Sequence, residues 1–335
     1  MKIEKPSGKS PLHRRTVSGR GGFLHKEIFF RVYIARRRDR DVRCFELAFA
    51  SCAELRCVLS LVARVAAQNG TIGALGAILT VMAEDPGVRV PVIMYHAVMD
   101  DASRLGKYVI SPEELESDFK WLSENGYTAI LSEDLINYTE NGAALPEKPI
   151  LLTFDDGYYN NYLYAYPTAK RYGMKFVLSP IGKYADLYTE TPDKSPYYAH
   201  CTWDMLREMQ SSGVVEIANH TYDLHSSDGA RLGTKQLSGE SLEDYTKLLT
   251  EDVTLFQQKA EENLQSKPVL FAYPFGAVSK GEPEIIKNLG FKVTLSCEER
   301  VSTVTRAPES LYYLGRYLRP SGVNSESFFE HILKA

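Results

Sequence analysis

The stretch Leu151-Leu152-Thr153-Phe154-Asp155-Asp156-Gly157 constrains this chain more than any other. Opened by Lys148-Pro149-Ile150, its apolar run reads as a short buried strand ending in two adjacent carboxylates and a glycine that lets the backbone turn sharply. Two acids so placed raise a pKa unless a cation lies beside them, so the pair suggests a metal ligand next to a general base. The same letters also describe an acidic turn, since Asp-Gly is common turn chemistry.

A second strand, Val214 to Asn219, runs into His220, and His225 follows five residues later. Positions five apart face opposite sides of a strand and lie about 140° apart on a helix, so neither element aims both rings at one point. A loop after His220 must therefore fold His225 back. With Asp156 the two rings would offer two nitrogens and one carboxylate oxygen with positions left for water and substrate, the layout of a catalytic zinc site.

Thr153-Phe154-Asp155-Asp156-Gly157, the His220/His225 pair and Tyr273-Pro274-Phe275-Gly276 resemble the first three motifs of the polysaccharide deacetylases, the NodB-type carbohydrate esterases of family 4. The resemblance runs from about residue 89 to the end of the chain. It implies that Asp155 is the catalytic base and that Asp156, His220 and His225 hold a divalent metal, with Zn2+ the first choice. Most members separate the histidines by four residues, and the spacing of five here is similar to deacetylases of exported poly-N-acetylglucosamine. The third motif usually carries arginine two residues before its proline, where this chain has Ala272.

The 335 residues carry 39 Lys+Arg against 43 Asp+Glu, and the imbalance is uneven: the first 64 hold 15 basic and 6 acidic side chains. The remainder is acidic, which argues against nucleic acid as the partner of a site there. Five cysteines, Cys44, Cys52, Cys57, Cys201 and Cys297, form no CxxC pair and define no disulfide framework or zinc finger.

Along the chain, residues 1–43 are basic and read as disordered or loosely helical. Residues 44–86 are helical in composition and end in a linker; within them 65–82 carries no charge and reads as a membrane anchor or as a helix packed on the domain. Residues 87–335 form the catalytic domain. There Val90 to Tyr95 reads as a strand ending at His96, and Ser111 and Glu114 form a capping box for a helix ending near Gly126. Strands near 175–179, 214–219, 269–273 and 291–296 alternate with helices that begin at Asn161, Thr202, Ser241, Pro283 and Ser325. Repeated βα units make the fold class α/β with a parallel sheet, open or closed. The resemblance selects a distorted, incomplete (β/α) barrel, NodB-type, with a helical or disordered N-terminal extension and the site at the C-terminal strand ends.

The resemblance further implies removal of N-acetyl groups from a GlcNAc-containing polysaccharide by a metal-dependent hydrolase acting outside the cytoplasm. Another amide or an O-acetyl ester as substrate, or an inactive carbohydrate-binding barrel, are the alternatives. The turn Pro274-Phe275-Gly276 would aim the Phe275 N–H at an oxyanion. His96 would protonate the departing amine, because a Tyr-His pair in this strand stands in for the C-terminal histidine of other members. Arg316 or Arg319 could orient Asp155 in place of the motif arginine. Tyr158, Tyr273 and Arg319 are the expected substrate-binding residues, Tyr158 by stacking on a sugar face.

Overall fold

The computed structural model of the chain describes residues 28–35, 42–49, 86–227 and 229–334, and the chain divides into two units, Met1–Glu84 and Asp85–Ala335. In the first unit, β1 (Ile28–Ala35) pairs antiparallel with β2 (Val42–Phe49), Ile28 opposite Phe49. Residues 28–35 and 42–49 are therefore strand, where disordered or helical chain was expected. Phe29, Phe30, Val32, Tyr33 and Ile34 are β-formers, and their preference outweighs the arginines around them. Residues 65–82 lie outside the described residues, and among those described no helix is long and apolar enough to cross a membrane.

The second unit begins with the short strands β3 (Val88–Val90), β4 (Val92–Tyr95), β5 (Ala97–Val98) and β6 (Val109–Ile110). Helix α1 (Pro112–Glu124) follows, closed by the expected capping box: Glu114 N–H donates to Ser111 Oγ at 3.1 Å, and Ser111 N–H to the Glu114 carboxylate at 2.9 Å. Next come β7 (Thr128–Ile130), α2 (Ser132–Glu140), β8 (Pro149–Asp156), a π-turn at Asn161–Ala165 that leads into α3 (Tyr166–Tyr172), β9 (Phe176–Pro180), α4 (Gly182–Glu190), α5 (Trp203–Ser211) and β10 (Val215–Ile217). The chain ends with α6 (Leu242–Leu264), β11 (Leu270–Ala272), α7 (Glu282–Asn288), β12 (Val293–Leu295), β13 (Ser302–Val304), β14 (Tyr317–Leu318) and α8 (Ser325–Lys334).

Strands β14, β4, β8, β9 and β10 lie side by side and parallel, with β7 also paired to β8. The circuit continues through single parallel bridges. Asn219, just past β10, meets Phe271 of β11; β11 pairs with β12; Leu295 of β12 meets Leu314, just before β14. The result is a parallel barrel with two thin joints, the distorted (β/α) barrel expected.

Side-chain parity along the strands separates its two faces. Ile150, Leu152 and Phe154 of β8 join the cluster that holds Leu115 and Phe119 of α1 and Phe256 of α6. Leu151 faces the other way, into a cluster with Val92, Val177, Leu270, Ala272, Val293 and Leu295 contributed by the surrounding strands. The odd-numbered residues of β8 therefore line the barrel interior. Asp155 inherits that direction.

Candidate active site

Asp155 is 3% exposed and lies against Arg316, which is fully buried. The Arg316 Nη1 donates to Asp155 Oδ1 at 2.8 Å, while its Nε donates to the Ser296 carbonyl at 2.8 Å and Nη2 faces Cys297 Sγ at 3.7 Å. Burial alone would push the Asp155 carboxyl up, but the Arg316 guanidinium more than reverses this and holds it well below the usual carboxylate range. Asp155 is thus ionised and fixed in place by Arg316.

Asp156 has a left-handed backbone, φ 69°, which turns its side chain out of the strand's alternation. Gly157 follows at φ 73°, and a Cβ there would lie 2.5 Å from Cβ of Pro180 at the end of β9, so only glycine fits. Burial pushes the Asp156 carboxyl up to about 6, and the Asp155 charge adds to the rise. A carboxylate so placed gains by meeting a cation.

The cation site is completed by the loop after β10. His220 Nδ1 donates to the carbonyl of Ala272 at 2.8 Å, which leaves Nε2 as the lone-pair nitrogen facing Asp156. Thr221 then reverses the chain at φ 71°, its N–H bonded to Asn219 Oδ1 at 2.8 Å, and the next two amides donate to the Asp252 carboxylate of α6 at 2.8 Å each. This fold brings the His225 ring to 4.8 Å from that of His220 and its Nε2 to 3.3 Å from Asp156 Oδ1; His220 Nε2 lies at 3.7 Å from the same oxygen. One donor atom from each of Asp156, His220 and His225 lies within 4.8 Å of the others. Burial pulls His220 down to about 3 and lowers His225 as well, so both rings are neutral, the form in which imidazole binds a metal. Two imidazoles and one carboxylate, with His220 oriented by a backbone carbonyl, fit a divalent transition metal such as zinc.

His96, between β4 and β5, is half-buried; its Nδ1 is buried without a hydrogen-bond partner among the described residues, and its charged form would bear on both Asp155 and Asp156. Asn161 Nδ2 holds its carbonyl at 2.7 Å. Phe275 occupies a left-handed turn, φ 57°, whose hydrogen bonds run from Gly276 N–H to Tyr273 and from Ala277 N–H to Pro274. Its ring, 43% exposed, packs 4.5 Å from that of His225. Burial and the nearby Asp156 charge push the Tyr158 hydroxyl up.

Two expected substrate contacts are corrected. Tyr273 is 1% exposed and packs with Phe271, Phe291 and Tyr245 on the helix-facing side, because parity in β11 sends Ala272 inward and its neighbours outward. Arg319 is buried in a two-pronged pair with Asp118 of α1, Nε to Oδ2 at 2.8 Å and Nη2 to Oδ1 at 2.9 Å. Arg316 is the arginine at Asp155. Residues three apart on a strand face opposite sides, so the two could not both point inward.

His200 is a neighbour of the site that the sequence did not announce. It is 8% exposed, its Nδ1 donates to the Asp156 carbonyl at 2.9 Å, and burial pulls it down to about 4, so the ring is neutral. No local pattern marks it, since its partner lies 44 residues away.

The sequence pattern of the polysaccharide deacetylases matches residues 142–294, the span that carries Asp155, Asp156, His220, His225 and Phe275. Over that span the chain is similar to the polysaccharide deacetylase family. A poly-beta-1,6-N-acetyl-D-glucosamine N-deacetylase of Escherichia coli strain K12 is 26% identical to this chain over 234 residues, covering 64% of the chain and 34% of the relative. The chain thus spans about a third of the length of that relative. A Staphylococcus aureus protein of the same name is 24% identical over 238 residues, 70% of this chain and 73% of its own. Among solved structures, a de-N-acetylase from Aggregatibacter actinomycetemcomitans superposes with a TM-score of 0.62 at 28% identity, covering 72% of this chain and 100% of that chain.

Proposed function

We propose that this protein is a metal-dependent N-deacetylase of a poly-N-acetylglucosamine-type polysaccharide acting outside the cytoplasm. The observation that carries the reading is the division of labour between adjacent carboxylates: Asp156 faces two neutral imidazoles, while Asp155 is held apart and ionised by Arg316. The activity for which the Escherichia coli and Staphylococcus aureus relatives are named supports the choice of polymer.

Asp156, His220 and His225 would hold a divalent ion, which would supply Lewis-acid polarisation and lower the pKa of a bound water. Asp155 takes the proton of the attacking water, and Arg316 keeps it ionised for that task. The Phe275 N–H donates to the developing oxyanion from a turn already in its left-handed shape, so no reorganisation is needed as charge appears. His96 delivers a proton to the departing amine; its unpartnered Nδ1 leaves the ring free to be drawn on by substrate.

The test is acetate release from poly-β-1,6-N-acetylglucosamine oligomers by zinc-loaded protein, before and after chelation. Release that stops with chelator and returns with zinc is expected. Zinc-loaded protein that frees no amine from these oligomers, yet cleaves O-acetyl esters, overturns the reading.

A further inference from the structure

Asp156 is a metal ligand of the proposed site whose backbone is left-handed although it is not a glycine, a strained conformation that persists only where the surroundings enforce it. Besides the Ile181 N–H, which donates to the Asp156 carbonyl at 3.4 Å, the contacts along this turn come from a segment far away in sequence. Tyr159 N–H donates to the Ala199 carbonyl at 2.8 Å and Cys201 N–H to the Gly157 carbonyl at 2.9 Å, so residues 199–201 run as a short antiparallel patch along the turn after Asp156. Between those two bonds sits His200, reaching back to the Asp156 carbonyl.

Its ring is fixed from several sides. Tyr184 stacks on it at 4.4 Å and 24°, Tyr158 lies at 4.7 Å and Tyr188 at 5.6 Å. Tyr158 and His200 face each other across the antiparallel patch, so the ring that holds the Asp156 carbonyl is itself held by the turn that follows Asp156.

We propose that His200 is a positioning residue for the metal site: its Nδ1–H, by holding the Asp156 carbonyl, keeps the Asp156 carboxylate turned toward His220 and His225. The inference rests on the metal reading above but adds a residue outside the ligand set and the reacting groups. The consequence is specific to affinity. With the hydrogen bond removed, Asp156 relaxes toward commoner backbone angles and its carboxylate leaves the ligand position, whereas Asp155, anchored separately by Arg316, keeps its place.

Two variants of similar size separate the hydrogen bond from the packing. His200→Asn keeps a short donor, His200→Leu has none, and both lose the ring. Zinc affinity measured by competition with a chromophoric chelator is expected to fall by about 10–100-fold in His200→Leu, the usual effect of losing an outer-shell partner. In His200→Asn it stays within a few-fold of the parent, and kcat at saturating zinc stays near the parent value in both. If His200→Leu does not fold, His200→Phe, which restores a ring among the tyrosines and still lacks the donor, takes its place. Equal zinc affinity in the donor and non-donor variants overturns the inference alone. A parent protein that takes up no zinc overturns the metal reading and this one with it.

Discussion

Arg316 and Asp155 meet at 2.8 Å with 0% and 4% of their side chains exposed, so neither has water to fall back on. The guanidinium overcomes the cost of burying the carboxylate and leaves Asp155 ionised far below neutrality. Its ionisation therefore does not limit the parent enzyme near pH 7. Arg316→Met removes the cation and leaves burial to act alone, so the Asp155 pKa rises and the base is lost by protonation as pH falls. The acid limb of kcat/KM should move upward by about one to three pH units, the range over which a paired arginine depresses an aspartate. Arg316→Lys, with the charge but not the fork, should lie between the two. An acid limb that stays where it was in Arg316→Met would remove Arg316 from any role in setting the base.

At the level of elements, the turn closing β8 shows what was legible in the chain and what was not. The strand, its two acids and its glycine stand out in sequence because an apolar run that stops at charge leaves few other readings. The caps at Ser111, Thr202 and Ser241 mark three helices equally plainly, and the structure finds all three hydroxyls accepting from the first turn. Tyr273 misled because motif adjacency does not say which way a side chain points, whereas parity does: Phe271 and Tyr273 face α6 and α7 together. Helix α4 and the histidine at 200 carry no periodic signature of their own, and only the assembled barrel brings them to the site. The turn also yields a direct test. Gly157→Ala puts a methyl group against Pro180 at φ 73° and should lower unfolding free energy by about 2–4 kcal/mol, the sum of backbone strain and overpacking. A urea midpoint within error of the parent would show that the turn accommodates a Cβ after all.

On the scale of the whole barrel, closure depends on β14, which pairs with β4 through only Tyr317↔Ile93 and Leu318↔Met94. So short a strand needs a further hold, and Arg319, directly after it, provides one: its N–H donates to the Met94 carbonyl at 3.0 Å, and its guanidinium locks onto Asp118 of α1. Tyr95 of β4 donates to the same carboxylate at 3.0 Å, so strand, helix and closing segment share one buried charge pair. Breaking such a pair by removing one partner is costly because the other charge stays buried, whereas replacing both with apolar groups is often nearly neutral. Arg319→Met should therefore lower unfolding free energy by about 3–5 kcal/mol, and adding Asp118→Leu should restore much of it. At a temperature where Arg319→Met remains folded, KM for the oligomer should match the parent, since Arg319 lies in the seam of the barrel and touches no substrate. A raised KM with unchanged stability, and no recovery in the double variant, would return Arg319 to the binding surface and leave closure of the barrel to the two strand pairs alone.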